Sequence, residues 1–371
     1  MILEHIETAN FRNLIPQMIE PHSRFNLLAG DNAQGKTNFL EAIYLIACLR
    51  SFKGCRSREM IQFGETKATV KALIKTGGAH RELGIQISER EKQAFCDGKI
   101  VRSAASYLGV FNAVLFSPDD LQLPRRSPSE RRKLLDRAIL TIWPAYLTLA
   151  RDYQKTLRSR NRILRQRPAK MKELLEVYDQ QLAEFGAKIV ASRVRYLRVF
   201  GDVFSKIFEQ ISQAGVKGTL QYMTKPSLRE AEDSVQELAH ALGRELAQAR
   251  AKGQDFSRYE TPIGPHTDDL DFLLDGRSAQ RCGSQGQVRA LILAFRLAQI
   301  LDTYEKLGSH AVLLLDDVSS ELDSLRNNYL FSFISQVPCQ TFLSTTRPEL
   351  IPLSQEHFYF SVDKGKITRL A

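Results

Sequence analysis

The sequence lacks any apolar run long enough to cross a bilayer. Its longest uninterrupted stretch, Ala42 to Leu49, falls far short of the ~20 residues that a spanning helix needs. Met1 to Asn13 show no basic region followed by an apolar stretch, so no secretory leader is expected. Cysteine is scarce: Cys48, Cys55, Cys96, Cys282 and Cys339 are odd in number and widely scattered, with no CxxC pair. That argues against a disulfide framework or a cysteine zinc site, and suits a soluble protein of a reducing, cytoplasmic compartment. Internal repeats, low-complexity tracts and a nuclease-type metal cluster are also missing. What remains is ordinary globular composition. The 371 residues are 43% hydrophobic and 25% charged, enough for one large domain or two ordinary ones.

Positive charge is in excess, at a net of +10, and it is concentrated. Between Arg125 and Lys170 there are 14 basic and 3 acidic residues, a net of +11 in 46 residues, and the other 325 residues are almost balanced. Such a block is a candidate phosphate-backbone footprint, because Lys and Arg near a nucleic acid displace condensed counterions. The plain alternative is a solvated helix face. Arginine dominates the second half (Arg151, Arg158, Arg160, Arg162, Arg165, Arg167), and its forked geometry suits phosphate.

Hydrophobic periodicity divides the chain in three. Up to about residue 125, strands mix with helices. Arg24–Gly30 reads as a buried strand closed by glycine, Lys36–Leu49 as an apolar helix, and Thr66–Thr76 with Arg81–Ser88 as a hairpin around Gly77-Gly78. Gly109–Ser117 is a further strand, ended by Pro118. From about Ser129 to Arg250 the period is helical. Tyr146, Leu149, Tyr153 and Leu157 recur at three and four, and Tyr178, Leu182, Phe185, Ile189, Tyr196, Val199 and Val203 form a near-heptad seam. Two long helices joined near Arg167-Pro168 predict an antiparallel helical arm. Strands then return at Leu270–Leu274, Ala311–Leu315 and Thr341–Ser344, with an amphipathic helix over Val288–Tyr304. The fold class that follows is α/β, a nucleotide-binding head interrupted by an inserted α-helical hairpin arm. The head is expected at 1–130 plus 260–371 and the arm at 131–259.

Three motifs carry chemistry. Gly30-Asp31-Asn32-Ala33-Gln34-Gly35-Lys36-Thr37 fits GxxxxGK[ST] between a strand and a helix, the context that a phosphate loop requires. Lys36 would neutralise the β- and γ-phosphates, and Thr37 would hold Mg²⁺. Val312–Leu315 is a strand of aliphatics that stops at Asp316-Asp317, which puts two carboxylates at the sheet edge where ligands bind. Asp316 would join the Mg²⁺ shell, and Asp317 would orient or deprotonate the attacking water. Gly283-Ser284-Gln285-Gly286-Gln287 precedes the helix Val288–Tyr304; it offers donors to an anion, or it is simply a helix cap.

The order of these motifs, followed by Ser320-Glu321-Leu322-Asp323, resembles the ATP-binding-cassette ATPases of the SMC type. Four segments are further similar to the RecF family of DNA-repair proteins: Asn10–Asn13, Phe116–Leu121, Ser127–Asp136 and Gly264–Leu270. The similarity is strong over both head segments and rests on helical character and position across the arm. It implies ATP and Mg²⁺ as cofactors and an ATP-dependent homodimer in which Ser284, Gln285, Gly286 and Gln287 of one copy face the phosphate loop of the other. Arg12 and Asn13 fall where the family contacts nucleotide, Asp119 and Asp120 in the loop that senses the γ-phosphate, and Asp323 in the loop that crosses between subunits. The family works at DNA gaps and junctions with RecR- and RecO-type partners, loads recombinase, and uses slow hydrolysis for release. Arg125, Arg126, Arg131, Arg132 and Lys133 are the expected DNA contacts. Two departures from the transporter cassettes fit a slow switch: Asp317 where they carry Glu, and Ser344-Thr345-Thr346 where they carry His. Two other readings stay open, an ATPase subunit of an SMC-like nuclease and a non-hydrolysing ATP-binding scaffold.

Overall fold

The computed structural model describes residues 1–212, 215–230, 234–352 and 355–370. The chain forms two compact units: Met1–Gln122, Ile207–Gln213 and Arg289–Ala371 make the first, Leu123–Lys206 and Ala214–Val288 the second. Residues 260–288, expected with the head, pack in the second unit. No helix among the described residues is long and apolar enough to cross a membrane.

The first unit holds two six-stranded sheets. One runs Lys366–Leu370, His357–Asp363, Phe25–Ala29, Thr341–Thr345, Val312–Asp316 and Ala113–Phe116 in spatial order, parallel except for the Lys366–Leu370 edge. Its central strands are buried at every position, as the unbroken aliphatic runs predict. The other sheet is antiparallel, and the expected hairpin is its Lys67–Thr76 and Ala79–Ser88 pair. Helix Lys36–Cys48 shares one core with both sheets, so ten of its thirteen side chains are buried. A helix so placed needs no polar face, which is why its pattern read as apolar rather than amphipathic.

The predicted hairpin is Tyr146–Gln166 followed by Met171–Ser212, and the second unit contains all of it up to Lys206. The turn is made by Arg167 in the left-handed region (φ 48°), with Pro168 preventing continuation. Antiparallel pairing advances in sevens. Arg160 faces Asp179, Tyr153 faces Gly186, and Tyr146 meets Arg193 through Asp136. The near-heptad seam of the long helix is kept at Leu182, Ile189 and Tyr196 but not at Val199, which is 45% exposed while Phe200 and Phe204 are buried. A straight helix drifts about 20° per heptad, and that drift turns Val199 outward. A strand not expected in the arm, Gly218–Met223, pairs antiparallel with Asp269–Leu274.

Three buried arginines organise this unit. Arg160, wholly buried, donates to Asp179 (2.6 Å), Asp255 (2.8 and 3.1 Å) and Thr261 (3.0 Å). Arg193 donates to both Asp136 oxygens (2.9 and 3.0 Å), to the Pro265 carbonyl (2.7 Å) and to Tyr222 (3.1 Å). Arg131 forms a two-bond pair with Asp269 (2.9 and 2.5 Å). The Gly264–Leu270 segment takes part in two of the three, through Pro265 and Asp269. His266 is a packing histidine: its Nδ1 accepts from the Tyr153 hydroxyl at 2.6 Å, and its Nε2 donates to the Thr261 carbonyl at 2.9 Å.

Arg160→Ala leaves Asp255 without its buried counter-ion and Asp179 with Arg250 alone, and should cost about 3–5 kcal/mol, read from the denaturation midpoint of the second unit. Burial also holds the His266 pKa below its ordinary value of 6.5. The unfolded chain therefore binds a proton that the folded one refuses. Stability should decline as pH falls through about 6.5, by up to about 1.4 kcal/mol per pH unit. His266→Gln should show a shallower decline than the parent in denaturant titrations at pH 7.5, 6.5 and 5.5.

Candidate nucleotide site

The strand Phe25–Ala29 delivers the chain into the loop 30–35, and the loop delivers it into helix Lys36–Cys48. Positive φ at Gly30 (156°), Ala33 (64°) and Gly35 (124°) turns the backbone back on itself. Gly30 is also a close approach, because a Cβ there would lie 2.2 Å from the Val362 carbonyl oxygen. Lys36 is buried and its Nζ donates to the carbonyls of Gly30 and Asp31, each at 2.7 Å. Burial draws its pKa down, and Asp317, Asp316 and Asp31 partly oppose that. Loop Asp31, Asn32 and Ala33 are exposed, with Gln34 half-buried, so the loop's outer rim is open to a ligand.

One strand, Thr341–Thr345, lies between the phosphate-loop strand and Val312–Asp316. This spacing brings Thr37 Oγ to 2.8 Å from Asp316 Oδ1. The same carboxylate oxygen accepts from Ser344 Oγ at 2.8 Å, and Ser344 Oγ accepts from the Asp317 amide at 3.0 Å. Asp317 adopts the left-handed conformation (φ 48°), and its buried Oδ1 has no hydrogen-bond partner among the described residues. Burial raises the Asp317 pKa while Lys36 works against that rise. Thr37 and Asp316 supply two hard oxygen donors. That fits Mg²⁺, which completes its shell with water and phosphate rather than an all-protein cage. Among the described residues no group of three or more His, Cys, Asp or Glu could hold a metal by itself. Thr345 is occupied differently, accepting from the Arg347 amide at 3.0 Å, while Thr346 is exposed.

The remaining expected residues divide. Asn13 joins the loop, donating to the Ala33 carbonyl at 3.3 Å and accepting from Asn38 at 2.7 Å. Arg12 is committed to Glu41, wholly buried on the phosphate-loop helix, through bonds of 2.9 and 2.7 Å. Asp120 is buried against Arg296 at 2.9 Å. Asp323 caps helix Ser324–Gln336 by accepting from the Arg326 amide at 3.0 Å. Ser284 and Gln287 cap each other's amides at 3.2 and 2.9 Å, so the plain cap reading of this segment is realised. Ser284 and Gln285 are nonetheless exposed, with Gly286 and Gln287 half-buried.

The expected DNA contacts fare worst. Arg131 is 2% exposed and spent on Asp269, so it is a structural arginine and offers nothing to a nucleic acid. Arg132 is half-buried and donates to the Asp268 carbonyl. Arg125 donates to the carbonyl of Gly283, and Arg126 pairs with Glu130 at 3.2 Å. Lys133 alone of the five is exposed. The basic window mixes buried and exposed arginines, and its net charge carried no signal to separate them.

Sequence reasoning also missed the brace on the loop. The turn between His357–Asp363 and Lys366–Leu370 donates to Gln34 through the Lys364 amide (2.7 Å, to Oε1) and the Gly365 amide (2.8 Å, to the carbonyl). Gly365 has φ 81°, and a Cβ there would fall 1.8 Å from the Asn13 carbonyl oxygen.

Comparison with known proteins agrees with this geometry. The RecF/RecN/SMC N terminal domain model matches residues 2–368. "DNA replication and repair protein RecF" of Geotalea uraniireducens is 36% identical over 369 residues, covering 99% of this chain and 100% of that protein. The protein of the same name from Anaeromyxobacter dehalogenans is 37% identical over 380 residues, covering 100% of both. A solved structure of the recombination mediator protein RecF-ATP in the RecFOR pathway has a TM-score of 0.90 at 32% identity, covering 100% of this chain and 98% of that one. The Smc head bound to the C-winged helix domain of ScpA shares the fold, with a TM-score of 0.59 at 16% identity and coverage of 100% and 98%.

Gly365→Ala should push the brace off Gln34. Losing two hydrogen bonds of about 1 kcal/mol each raises amide exchange at residues 31–35 by about tenfold or more, measured by hydrogen–deuterium exchange, with strand Val312–Asp316 unchanged.

Proposed function

The chain belongs to the RecF/RecN/SMC N-terminal domain family and, within it, to the RecF proteins of DNA replication and repair. From that premise we propose an ATP-gated DNA-binding switch of recombinational repair, in which ATP drives dimerisation on DNA and slow hydrolysis ends it. The observation that carries the reading is the 2.8 Å contact of Thr37 with Asp316, beside Lys36 and an unpartnered Asp317 oxygen. A phosphate-type loop, a hydroxyl and two carboxylates brought together in this way suit a triphosphate and its metal. The ATP-bound state of the solved relative supports ATP as the ligand.

The chain's own groups define the steps. Lys36 exchanges its two carbonyl partners for phosphate oxygens, and the loop amides of 31–35 take the rest of the charge. Thr37 and Asp316 would hold Mg²⁺, which would supply charge neutralisation at the transferring phosphoryl group. Asp317 positions water with the oxygen that no protein donor uses. Its side chain is one methylene shorter than Glu, and Ser344 is already engaged by Asp316 and Asp317, so neither reaches as far toward a γ-phosphate as the transporter pair. That favours slow turnover. Ser284 to Gln287 are proposed to meet the nucleotide of a second copy, with Asp323 at the same crossing, and Arg12 would act on nucleotide through Glu41 and the loop helix. RecR- and RecO-type partners and recombinase loading belong to this proposal, and the RecFOR pathway named for the solved relative supports them.

Light scattering with and without ATP-Mg²⁺ and a gapped duplex tests the reading. A monomer that dimerises only with ATP, fails to do so as Lys36→Ala, and stays dimeric as Asp317→Asn is the expected result. Turnover of many ATP per second would overturn the switch, and indifference to ATP would favour a scaffold.

A further inference from the structure

With Arg131 buried, the DNA-facing charge must lie elsewhere, and helix Tyr146–Gln166 has it. Arg151, Lys155, Arg158, Arg162 and Arg165 are all exposed. Their spacings of four, three, four and three keep them within about 80° of arc on a helix of 3.6 residues per turn. Tyr153, Thr156, Leu157, Arg160 and Leu164, the buried residues of the same stretch, occupy the opposite side. The five cations thus form a straight row of about 21 Å. Among the described residues only Arg165 has a carboxylate partner, Glu260 at 3.1 Å, and that pair is more than half exposed at both ends (60% and 58%). Asp152, the one acid on this helix, stands about a quarter-turn aside.

Solvation alone does not account for this row. A helix face that merely meets water is most stable with opposite charges at i,i+4, whereas every successive pair here is of like sign and destabilises the helix. The buried Arg160, two residues beyond Arg158 on the same helix, shows what this unit does with an arginine it uses structurally: it supplies Asp179 and Asp255. The outward row has been given only the exposed Glu260, at its Arg165 end.

We propose that this outward row of the arm helix is the phosphate-backbone contact of the protein, laid against the backbone of duplex DNA. The inference rests on the reading that the protein binds DNA, and moves the contact from residues 125–133 to 151–165. The duplex carries one phosphate per about 1.7 Å of axis with both strands counted, so a row of about 21 Å spans enough backbone for several of its cations to find a phosphate. No side chain in the row is aromatic, so the contact reads charge and not base sequence.

The test is fluorescence anisotropy of a 30-base-pair duplex with the full chain and ATP, between 50 and 200 mM salt. Arg158→Gln/Arg162→Gln is compared with the parent and with Lys71→Gln/Lys75→Gln, which removes two exposed lysines from the antiparallel sheet of the other unit. Each lost phosphate contact lowers the log–log salt slope by about 0.9, so the row variant should lose about 12-fold less affinity than the parent across that range. The sheet variant should match the parent, and an unchanged denaturation midpoint of the second unit shows that the row variant is folded. A row variant with the parent's slope overturns the assignment while leaving DNA binding intact, and would turn attention to an acidic protein as the occupant of the row. A parent that binds no duplex at any salt overturns the DNA reading itself.

Discussion

The Asp316 carboxylate is the interaction on which the rest of the head depends. It stands at the end of a strand with no exposed position, and one of its oxygens accepts from both Thr37 and Ser344. Two neighbouring strands of a parallel sheet and the start of the phosphate-loop helix are thereby tied together at the strands' carboxyl ends. Parallel strands need long crossovers, so the residues concerned come from positions 37, 316 and 344, far apart in the chain. A shift of one residue in any strand would turn its terminal side chain to the other face and break the tie. The sheet's register, with Asp316 opposite Ser344 and Ser344 opposite Leu28, is what makes the chemistry local.

Glu41 is the second such point. It is wholly buried on a helix surrounded by apolar side chains, a position that an unpaired carboxylate could not hold. Arg12 supplies two bonds, and Ser51 and Cys55 lie on the same carboxylate. The loop that carries Arg12 is therefore fastened to the second turn of the phosphate-loop helix. Asn13, the next residue, reaches the loop itself through Ala33. A change in the phosphate loop and a change in the first strand's turn cannot be independent of each other.

Part of the head was legible where an element leaves a local mark, while the strands Ile2–Ala9, His357–Asp363 and Lys366–Leu370 were not read. GxxxxGKT between a strand and a helix, aliphatics ending at Asp316-Asp317, and a glycine pair between alternating strands are all read within a dozen residues. What was not legible depended on distant partners. Nothing near Gly365 indicates that it must pass under the Asn13 carbonyl, and nothing near Glu41 indicates Arg12. The Ser344-Thr345-Thr346 run names three hydroxyls, but only the fold selects Ser344 for Asp316 and gives Thr345 to a backbone amide. The strand Gly218–Met223 was hidden for the same reason, since its partner lies about 50 residues on.

The arginines show how charge can mislead when it is counted rather than placed. Arg131, Arg160 and Arg193 are at most 5% exposed and bound to carboxylates that lie tens of residues away in sequence. A window of +11 overstates the free positive charge because those carboxylates, Asp179, Asp255 and Asp269, fall outside it. Helical phase is the property that sorts the window. Arg160 falls on the side of Tyr153 and Leu164, while Arg158 and Arg162, two residues to either side, fall opposite. Four like-charged neighbour pairs at about 0.2–0.5 kcal/mol each would weaken an isolated helix by about 1–2 kcal/mol. The buried pairs of Arg160 and the packing of Tyr146, Tyr153 and Leu164 hold the same helix in place, so one face carries the stability that lets the other remain a row of uncompensated charge.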